Sequence, residues 1–263
     1  MHFRFVLLVL LFVCCSLPAP PAAAAPVSPA LLDPAGDLLE NVVPDAPAPS
    51  YQGSATLGAP VVVQRIETVQ EGPFIYEQVT EEGAMVTVSV EIVPGRGRLL
   101  VHTTPLMGVT FQDAAKTALS VAEDRTGADL SGSDVIVSLQ AAEDVDGVDG
   151  SSAGALMAVL MISALEGFTL NESVTMTGTI DPSGRIGSVG GIGMKAEAAA
   201  ATGRTLFLIP QENGVPPGYP GFAQGPGVMD MQAAIEGETN IQVEYVATVD
   251  DALRYLGAEP PPA

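Results

Sequence analysis

The chain reads Asp149-Gly150-Ser151-Ser152-Ala153-Gly154 and continues as Ala155-Leu156-Met157-Ala158-Val159-Leu160-Met161-Ile162-Ser163-Ala164-Leu165. Residues 153–165 are apolar at nearly every position, which predicts a helix that is buried on most of its sides. The flexible, glycine-containing turn before this helix places Ser152 at its N-terminal end, where the helix dipole is positive. The stretch therefore predicts a core helix with a serine at its exposed end.

Ser152 has two interpretations at this position. A serine before a helix is most often the N-cap residue, whose side chain accepts a backbone hydrogen bond. The alternative is a nucleophile, because backbone N–H groups of Ser152 and its neighbours at a helix end are suited to stabilise the oxyanion of acyl transfer. Taken alone, this segment favours the cap.

Lys195 changes that balance. It is one of only 10 basic residues and follows, after Met194, the glycine-rich run Gly187-Ser188-Val189-Gly190-Gly191-Ile192-Gly193. We expect it in the first turn of a helix, where a cation is unfavourable against the helix dipole. Either its side chain reaches along the surface to solvent, or it is a neutral lysine that acts as a base.

Strand and helix patterns alternate along the rest of the chain. Strands are predicted at Met85–Val93, Arg98–Thr103, Asp134–Gln140, Val174–Ile180, Thr205–Pro210 and Ile241–Val246. Further helices are predicted at Phe111–Asp124, Lys195–Thr202 and Val249–Leu256, the last opened by Thr248 and Asp251 in capping-box spacing. The first two strands are expected to form a hairpin across Pro94-Gly95-Arg96-Gly97. This alternation predicts one α/β (α+β) domain in which mixed sheets pack against helices.

Composition narrows the class of partner. The 263 residues include 31 acidic and 10 basic side chains, a formal net charge of −21, which argues against nucleic acid as a partner. Both cysteines, Cys14 and Cys15, lie in the N-terminal apolar run. Outside that run the sequence has no thiol for a disulfide, a thiolate metal site or a cysteine nucleophile.

The N-terminal region predicts export. The apolar run 5–17 is short for a membrane span and has the length of a signal-peptide core, so residues 1–25 are predicted to be a signal peptide or an N-terminal membrane anchor. Residues 26–58 are interpreted as a spacer rich in proline and alanine, 59–257 as the folded domain and 258–263 as a proline-rich tail. The domain is therefore expected to be extracellular or anchored outside the cytoplasm.

Several motifs together resemble the proteolytic domain of Lon proteases, in the same order and spacing. They are Asp149-Gly-Ser-Ser152-Ala-Gly154, Met176-Thr177-Gly178, the turn Asp181–Gly184, Ile186-Gly187-Ser-Val-Gly190-Gly191, Lys195 and Leu208-Ile209-Pro210-Gln-Glu-Asn213. Ser152 and Lys195 are 43 positions apart, as the serine and lysine of that family are. The resemblance spans residues 134–256 and implies the fold of that family.

The resemblance also implies roles for individual residues. Ser152 would be the nucleophile, Lys195 the general base and Thr177 the hydroxyl that hydrogen-bonds the lysine, while Asp149 and Gly150 would support the site from the preceding turn. The chain departs from the family pattern at two positions. Ser151 replaces a proline and Thr179 replaces a glutamate found in many members, which bears on loop rigidity and on the surroundings of the lysine.

The function implied is an ATP-independent serine endopeptidase that acts on unfolded polypeptides without a cofactor or metal, in a chain that carries no ATPase module. A homo-oligomeric ring, a hexamer in the family, is implied in the same way. The alternative is an inactive Lon-like binding or scaffolding module. His102 as half of a Ser-His pair is a weaker interpretation, and no phosphate-binding loop pattern occurs with the required context. The acidic residues 143–149 lack EF-hand spacing and are interpreted as a solvated loop.

Overall fold

The structure is a computed structural model that describes residues 48–104, 106–141, 147–148, 150–214 and 231–257. Its strands are β1 (Gly53–Glu71), β2 (Phe74–Pro94), β3 (Leu99–Thr103), β4 (Leu106–Met107), β5 (Ser133–Ala141), β6 (Gly147–Val148), β7 (Val174–Met176), β8 (Thr179–Ile180), β9 (Ile186–Gly187), β10 (Leu206–Pro210) and β11 (Gln242–Val246). Its helices are α1 (Val109–Thr126), α2 (Gly154–Glu166), α3 (Ile192–Ala201), α4 (Gln211–Gly214), α5 (Met231–Thr239) and α6 (Val249–Leu256). This is the mixed α/β architecture that the sequence predicts.

The largest sheet has four strands in the order β1-β2-β5-β3. Strands β1 and β2 form a long antiparallel hairpin, and β2 pairs antiparallel with β5 while β3 pairs parallel with β5. The predicted hairpin between β2 and β3 is therefore wrong, because β5 lies between them. The Asp134 carboxylate at the start of β5 accepts hydrogen bonds from the N–H groups of Arg96 and Arg98 at 2.9 and 3.0 Å. These bonds hold the turn after β2 across the end of β5, which places β3 on the far side.

A second sheet contains the parallel strands β11-β10-β7, and β8 pairs antiparallel with β9 beside it. The single strand predicted over Val174–Ile180 is interrupted at Thr177 and Gly178. The backbone of these two residues bonds to other segments, since Thr177 N–H donates to the Leu208 carbonyl and Gly178 N–H donates to the Ser152 carbonyl. The interruption matters for the site because it ties this segment to the start of α2.

Helix α2 lies at the centre of the main core, as its sequence predicts. Every residue from Gly154 to Ala164 is buried, with α1 on one side and the four-stranded sheet on another. A side chain at Gly154 would lie 2.8 Å from the Ile180 side chain, so the absence of a Cβ permits close packing at the N-terminal end of α2. This packing fixes the position of the residues that immediately precede the helix.

The ends of several elements follow their sequence signals. Helix α6 begins with a complete capping box formed by Thr248 and Asp251. Gly127 ends α1 in the left-handed conformation with φ of 69°. Strand β1 begins at Gly53, inside the range 26–58 that was assigned to the spacer, so the folded part starts earlier than that boundary.

Some predictions lie outside the described residues. These are the segment 1–47 with the export signal, most of the acidic segment 143–149, and the tail 258–263. None of the described helices combines the length and the apolar character needed to cross a membrane.

Candidate active site

Ser152 lies immediately before the N-terminus of α2. The N-cap position belongs to Ala153, whose φ and ψ are −95° and 0° and which makes no side-chain capping bond. Ser152 is therefore not the N-cap residue of α2, in contrast to the conventional interpretation of a serine at a helix start. Gly150 precedes it with φ of 135°, a conformation that favours glycine and turns the chain sharply into the helix.

The backbone around Ser152 is held by the segment between β7 and β8. The Ser152 carbonyl accepts hydrogen bonds from Gly178 N–H at 2.8 Å and from the Thr177 hydroxyl at 3.2 Å. In return, Ala155 N–H donates to the Gly178 carbonyl at 3.1 Å. Two elements that are distant in sequence therefore fix the backbone of the serine.

Lys195 is the fourth residue of α3 and is buried, with 3% of its surface exposed. Its Nζ donates a hydrogen bond to Thr177 Oγ1 at 3.1 Å. Because Thr177 Oγ1 has one hydrogen, which it donates to the Ser152 carbonyl, its lone pairs are available to accept from the lysine. Thr177 thus links the lysine to the backbone of the serine, and the interpretation of Lys195 as a solvent-reaching side chain is wrong.

Burial changes the ionisation of Lys195. Removal of the amine from water disfavours its charged form and lowers the pKa of Lys195 from 10.5 to about 8. Burial is the cause of this shift in the pKa of Lys195. A substantial fraction of the amine is therefore neutral at mildly alkaline pH, which a general base requires.

Replacing Lys195 with methionine should stabilise the protein at pH 7. A proton on the buried amine of Lys195 destabilises the native state relative to the unfolded state. This destabilisation is complete below the native pKa of about 8, and it is absent above 10.5, where the amine is neutral in both states. We expect Lys195→Met to raise the free energy of unfolding by about 3 kcal/mol at pH 7, because the pKa is lowered from 10.5 to about 8 and each pKa unit corresponds to about 1.36 kcal/mol. Urea unfolding at pH 7 and pH 10.5 measures this difference.

The matched control is Lys116→Met, because Lys116 is exposed on α1 and pairs with Asp113 at 2.9 Å. This surface change should alter stability by no more than about 0.5 kcal/mol. An equal effect of Lys195→Met at both pH values would show that the proton on Lys195 does not govern its contribution to stability.

Ser152 and Lys195 line the same cavity, which has a volume of about 310 Å³. One part of its lining is formed by Gly150 and Ser152 before α2 and by Gly190 and Gly191 before α3. Its apolar lining consists of Val61, Val62, Phe111, Leu139, Ala153 and Met194. Glu81 of β2 is the acidic residue among the lining side chains. The cavity can hold an amino-acid side chain next to the serine.

The structure brings together most of the residues singled out from the sequence. Ser152, Lys195, Thr177 and Gly150 meet at this cavity or support it. Asp149 lies outside the described residues. The sequence offered no signal for Val62 and Glu81, because their place at the cavity depends on how β1 and β2 pair.

The competing sites find no support in the described residues. His102 is exposed on β3, where it pairs in register with Ser138, and it does not line the cavity. Within the described ranges, no group of three or more His, Cys, Asp or Glu residues is placed to hold a metal ion. Thr179 forms part of β8 against Gly187, so it contributes to the strand pair beside the site.

Comparison with known proteins finds one family model and several similar proteins. Residues 69–216 match the model of the Lon protease (S16) C-terminal proteolytic domain. The chain is 28% identical to the Archaeal Lon protease of Archaeoglobus fulgidus over 178 residues, which cover 66% of this chain and 26% of that protein. It is 33% identical to the Archaeal Lon protease of Methanothermobacter thermautotrophicus over 135 residues, covering 50% of this chain and 20% of the relative.

A bacterial relative shows the same pattern. The chain is 34% identical to the Lon protease of Nitratidesulfovibrio vulgaris over 137 residues, covering 50% of this chain and 16% of the relative. The matched region therefore spans about a quarter or less of the length of these curated relatives.

Proposed function

The chain belongs to the family of Lon protease C-terminal proteolytic domains, and from this premise we propose that it is a serine endopeptidase with a Ser152/Lys195 dyad. The observation that carries the proposal is the environment of Lys195. Its amine is buried, has a pKa of about 8 and lies in the same cavity as Ser152. A buried lysine without a catalytic task would destabilise the protein for no gain, whereas a neutral amine beside a serine can activate it.

The reaction begins with a tetrahedral intermediate. The neutral Lys195 amine takes the proton of Ser152 Oγ while Oγ attacks the carbonyl carbon of the substrate. The resulting oxyanion needs N–H donors at the start of α2. Gly154 and Ala155 already donate to the carbonyls of Ser151 and Gly178. We therefore assign the oxyanion to the N–H groups of Ser152 and Ala153.

Collapse of this intermediate forms the acyl-enzyme. Protonated Lys195 gives its proton to the leaving amine as the peptide C–N bond breaks, which regenerates the neutral base. Lys195 then takes a proton from water, whose oxygen attacks the ester carbonyl, and returns that proton to Ser152 Oγ as the ester C–O bond breaks and the acid product leaves. Thr177 keeps the amine in place during these transfers, because its hydroxyl accepts the lysine hydrogen bond and is itself fixed to the Ser152 carbonyl.

Casein hydrolysis by the purified chain tests the proposed activity and its independence of nucleotide. The sequence contains no phosphate-binding loop pattern in the required context, so we expect casein to be degraded without ATP. Addition of ATP and magnesium should leave the initial rate unchanged. Quantified loss of intact casein on gels, with and without nucleotide, provides the measurement.

Two outcomes would contradict this proposal in different ways. Strong stimulation by ATP would show that hydrolysis is coupled to a nucleotide. A folded chain that degrades neither casein nor short peptides under either condition would support the alternative, a Lon-like binding or scaffolding module.

The proposal extends to location and assembly. The apolar run 5–17 supports export, so we place the catalytic domain outside the cytoplasm, secreted or held by an N-terminal anchor. Polypeptides are the proposed substrates. Assembly into a ring, a hexamer by resemblance to the family, is proposed for the folded domain.

A further inference from the structure

The hairpin of β1 and β2 extends well beyond the core. We define the arm as residues 64–82, in which β1 and β2 pair with each other up to the turn at Gly72. All residues from Phe74 to Glu82 are exposed. The exposed fractions of Phe74, Ile75 and Val79 are 72%, 69% and 56%. An exposed hairpin with large apolar side chains near its tip is a feature of surfaces that bind another chain.

The arm begins at the catalytic cavity. Val61 and Val62 of β1 and Glu81 of β2 line the cavity together with Ser152 and Lys195. A side chain at Gly83 would overlap the Met194 carbonyl, so α3 packs directly on the hairpin where the arm starts. A chain bound along the arm would therefore lead to the proposed dyad.

One face of the arm carries an ordered row of side chains. The buried positions of β2 in the core are Val86, Val88, Val90 and Ile92, so odd-numbered positions lie on the opposite face. On that face, from the cavity to the tip, β2 carries the row Glu81, Val79, Glu77 and Ile75. Acidic and apolar side chains alternate in this row at a spacing of about 6.8 Å, the two-residue repeat of any extended polypeptide.

The edge of β2 next to this row is open in the described part of the chain. Strand β5 pairs with β2 only from Val86 to Pro94, and from Phe74 to Met85 the pairing partner of β2 is β1. Strand edges of this kind accept an additional strand through their backbone groups. Side chains of an added strand would lie directly beside the row, where opposite charges and apolar pairs are favourable.

The acidic charge of the arm favours one kind of binding partner. The segment from Val61 to Gly83 contains five glutamates and one basic residue, Arg65. Pairing of two arms from separate copies would bring like charges together in a protein whose net charge is −21. An anionic membrane surface is disfavoured for the same reason. A polypeptide that alternates basic and apolar residues matches the row at each position.

We propose that the arm binds extended polypeptide substrate as an added strand beside β2, with a preference for alternating basic and apolar residues, and directs it into the cavity. This inference rests on the proposed function only for the cleavage of the bound polypeptide. Binding itself is measurable without hydrolysis. The Ser152→Ala protein is therefore the appropriate form for the test.

Fluorescence anisotropy with two labelled 12-residue peptides tests the preference. One peptide alternates Lys and Val, and the other alternates Glu and Val. The Ser152→Ala protein should bind the Lys/Val peptide at least about tenfold more tightly than the Glu/Val peptide, and the difference should shrink with added salt. Equal binding of the two peptides would overturn the proposal.

Charge reversal locates the binding on the arm. Glu77→Lys, made in the Ser152→Ala background, should weaken binding of the Lys/Val peptide by about three- to tenfold. The matched control is Glu67→Lys, which makes the same charge change on β1 and on the opposite face of the arm, paired with Gln78. This control should bind the peptide as the parent does. An equal loss of affinity in both variants would show that only the net charge of the protein matters. It would contradict binding of the peptide along the row.

Sedimentation of Ile75→Ser and its parent separates substrate docking from self-association. The two proteins should have the same mass, and Ile75→Ser should bind the Lys/Val peptide more weakly. A fall in mass in the variant would instead make the arm an interface between copies and overturn the proposal. If the wild-type chain bound the peptide in this way without cleaving it, only the proposed function would fail.

Discussion

Ser152→Ala is expected to reduce peptide hydrolysis by at least about 10⁴-fold, because no other hydroxyl can form the acyl-enzyme from the same position. The fold should persist. Ala153 is the N-cap residue of α2, and the bonds that fix Ser152 in the structure involve its backbone carbonyl, which alanine retains. Initial rates with a fluorogenic peptide, together with thermal unfolding of both proteins, provide the measurement.

Ser151→Ala is the matched control for the nucleophile. Ser151 is adjacent to Ser152, and its carbonyl accepts the Gly154 N–H at 2.9 Å through an atom that alanine keeps. This variant should retain substantial activity. Two results would show that Ser152 is not the nucleophile. One is a folded Ser152→Ala protein that still cleaves the peptide, and the other is an inactive Ser151→Ala protein.

Lys195→Met should be inactive at every pH, since methionine fills the space without a nitrogen that can accept the serine proton. Lys195→Arg should not restore hydrolysis, because guanidinium keeps its proton throughout the accessible pH range. We expect losses of at least about 10³-fold in kcat for both variants. Single-turnover hydrolysis of the fluorogenic peptide measures them.

Lys116→Met serves again as the control, because it removes an exposed lysine that pairs only with its neighbour Asp113 in the described structure. Its turnover should match that of the wild type. Near-normal turnover by Lys195→Met would make Lys195 a structural residue and exclude it as the base. Lys195→Met is also predicted to be more stable than the wild type at pH 7. A variant that is inactive but more stable has lost its base and kept its fold.

The elements with strong local signals were predictable from the sequence. The largely apolar run of α2 predicts burial on most of its sides, and Thr248 with Asp251 defines the start of α6 to the residue. Local periodicity and capping chemistry are enough to predict these two helices. Ser152 and Lys195 were singled out in a different way, through the resemblance of several motifs to the Lon proteolytic domain.

Strand order and the arm were not predictable in the same way. The Pro94-Gly95-Arg96-Gly97 turn has the composition of a hairpin turn, yet Asp134 from a distant segment determines its role. The sequence 64–82 lacks a simple alternation of apolar and polar residues, because none of the arm residues whose burial is described is buried. Long-range pairing determines both features, and single-sequence patterns do not encode it directly.

The environment of the lysine was predictable only in part. The sequence indicated that Lys195 follows a glycine-rich run at a helix start, but its burial depends on β1, β2 and α3 packing together. The bond from Lys195 to Thr177 depends further on the interruption between β7 and β8. Both facts require the tertiary structure.

The pH dependence of peptide hydrolysis tests the Ser152/Lys195 dyad most directly. In the wild type, kcat/KM should rise with pH along a single limb centred near the pKa of Lys195, which is about 8. The limb should be unchanged in His102→Ala, because His102 is exposed on β3 away from the cavity lining. A limb that disappears in His102→Ala would contradict the dyad and make histidine the base.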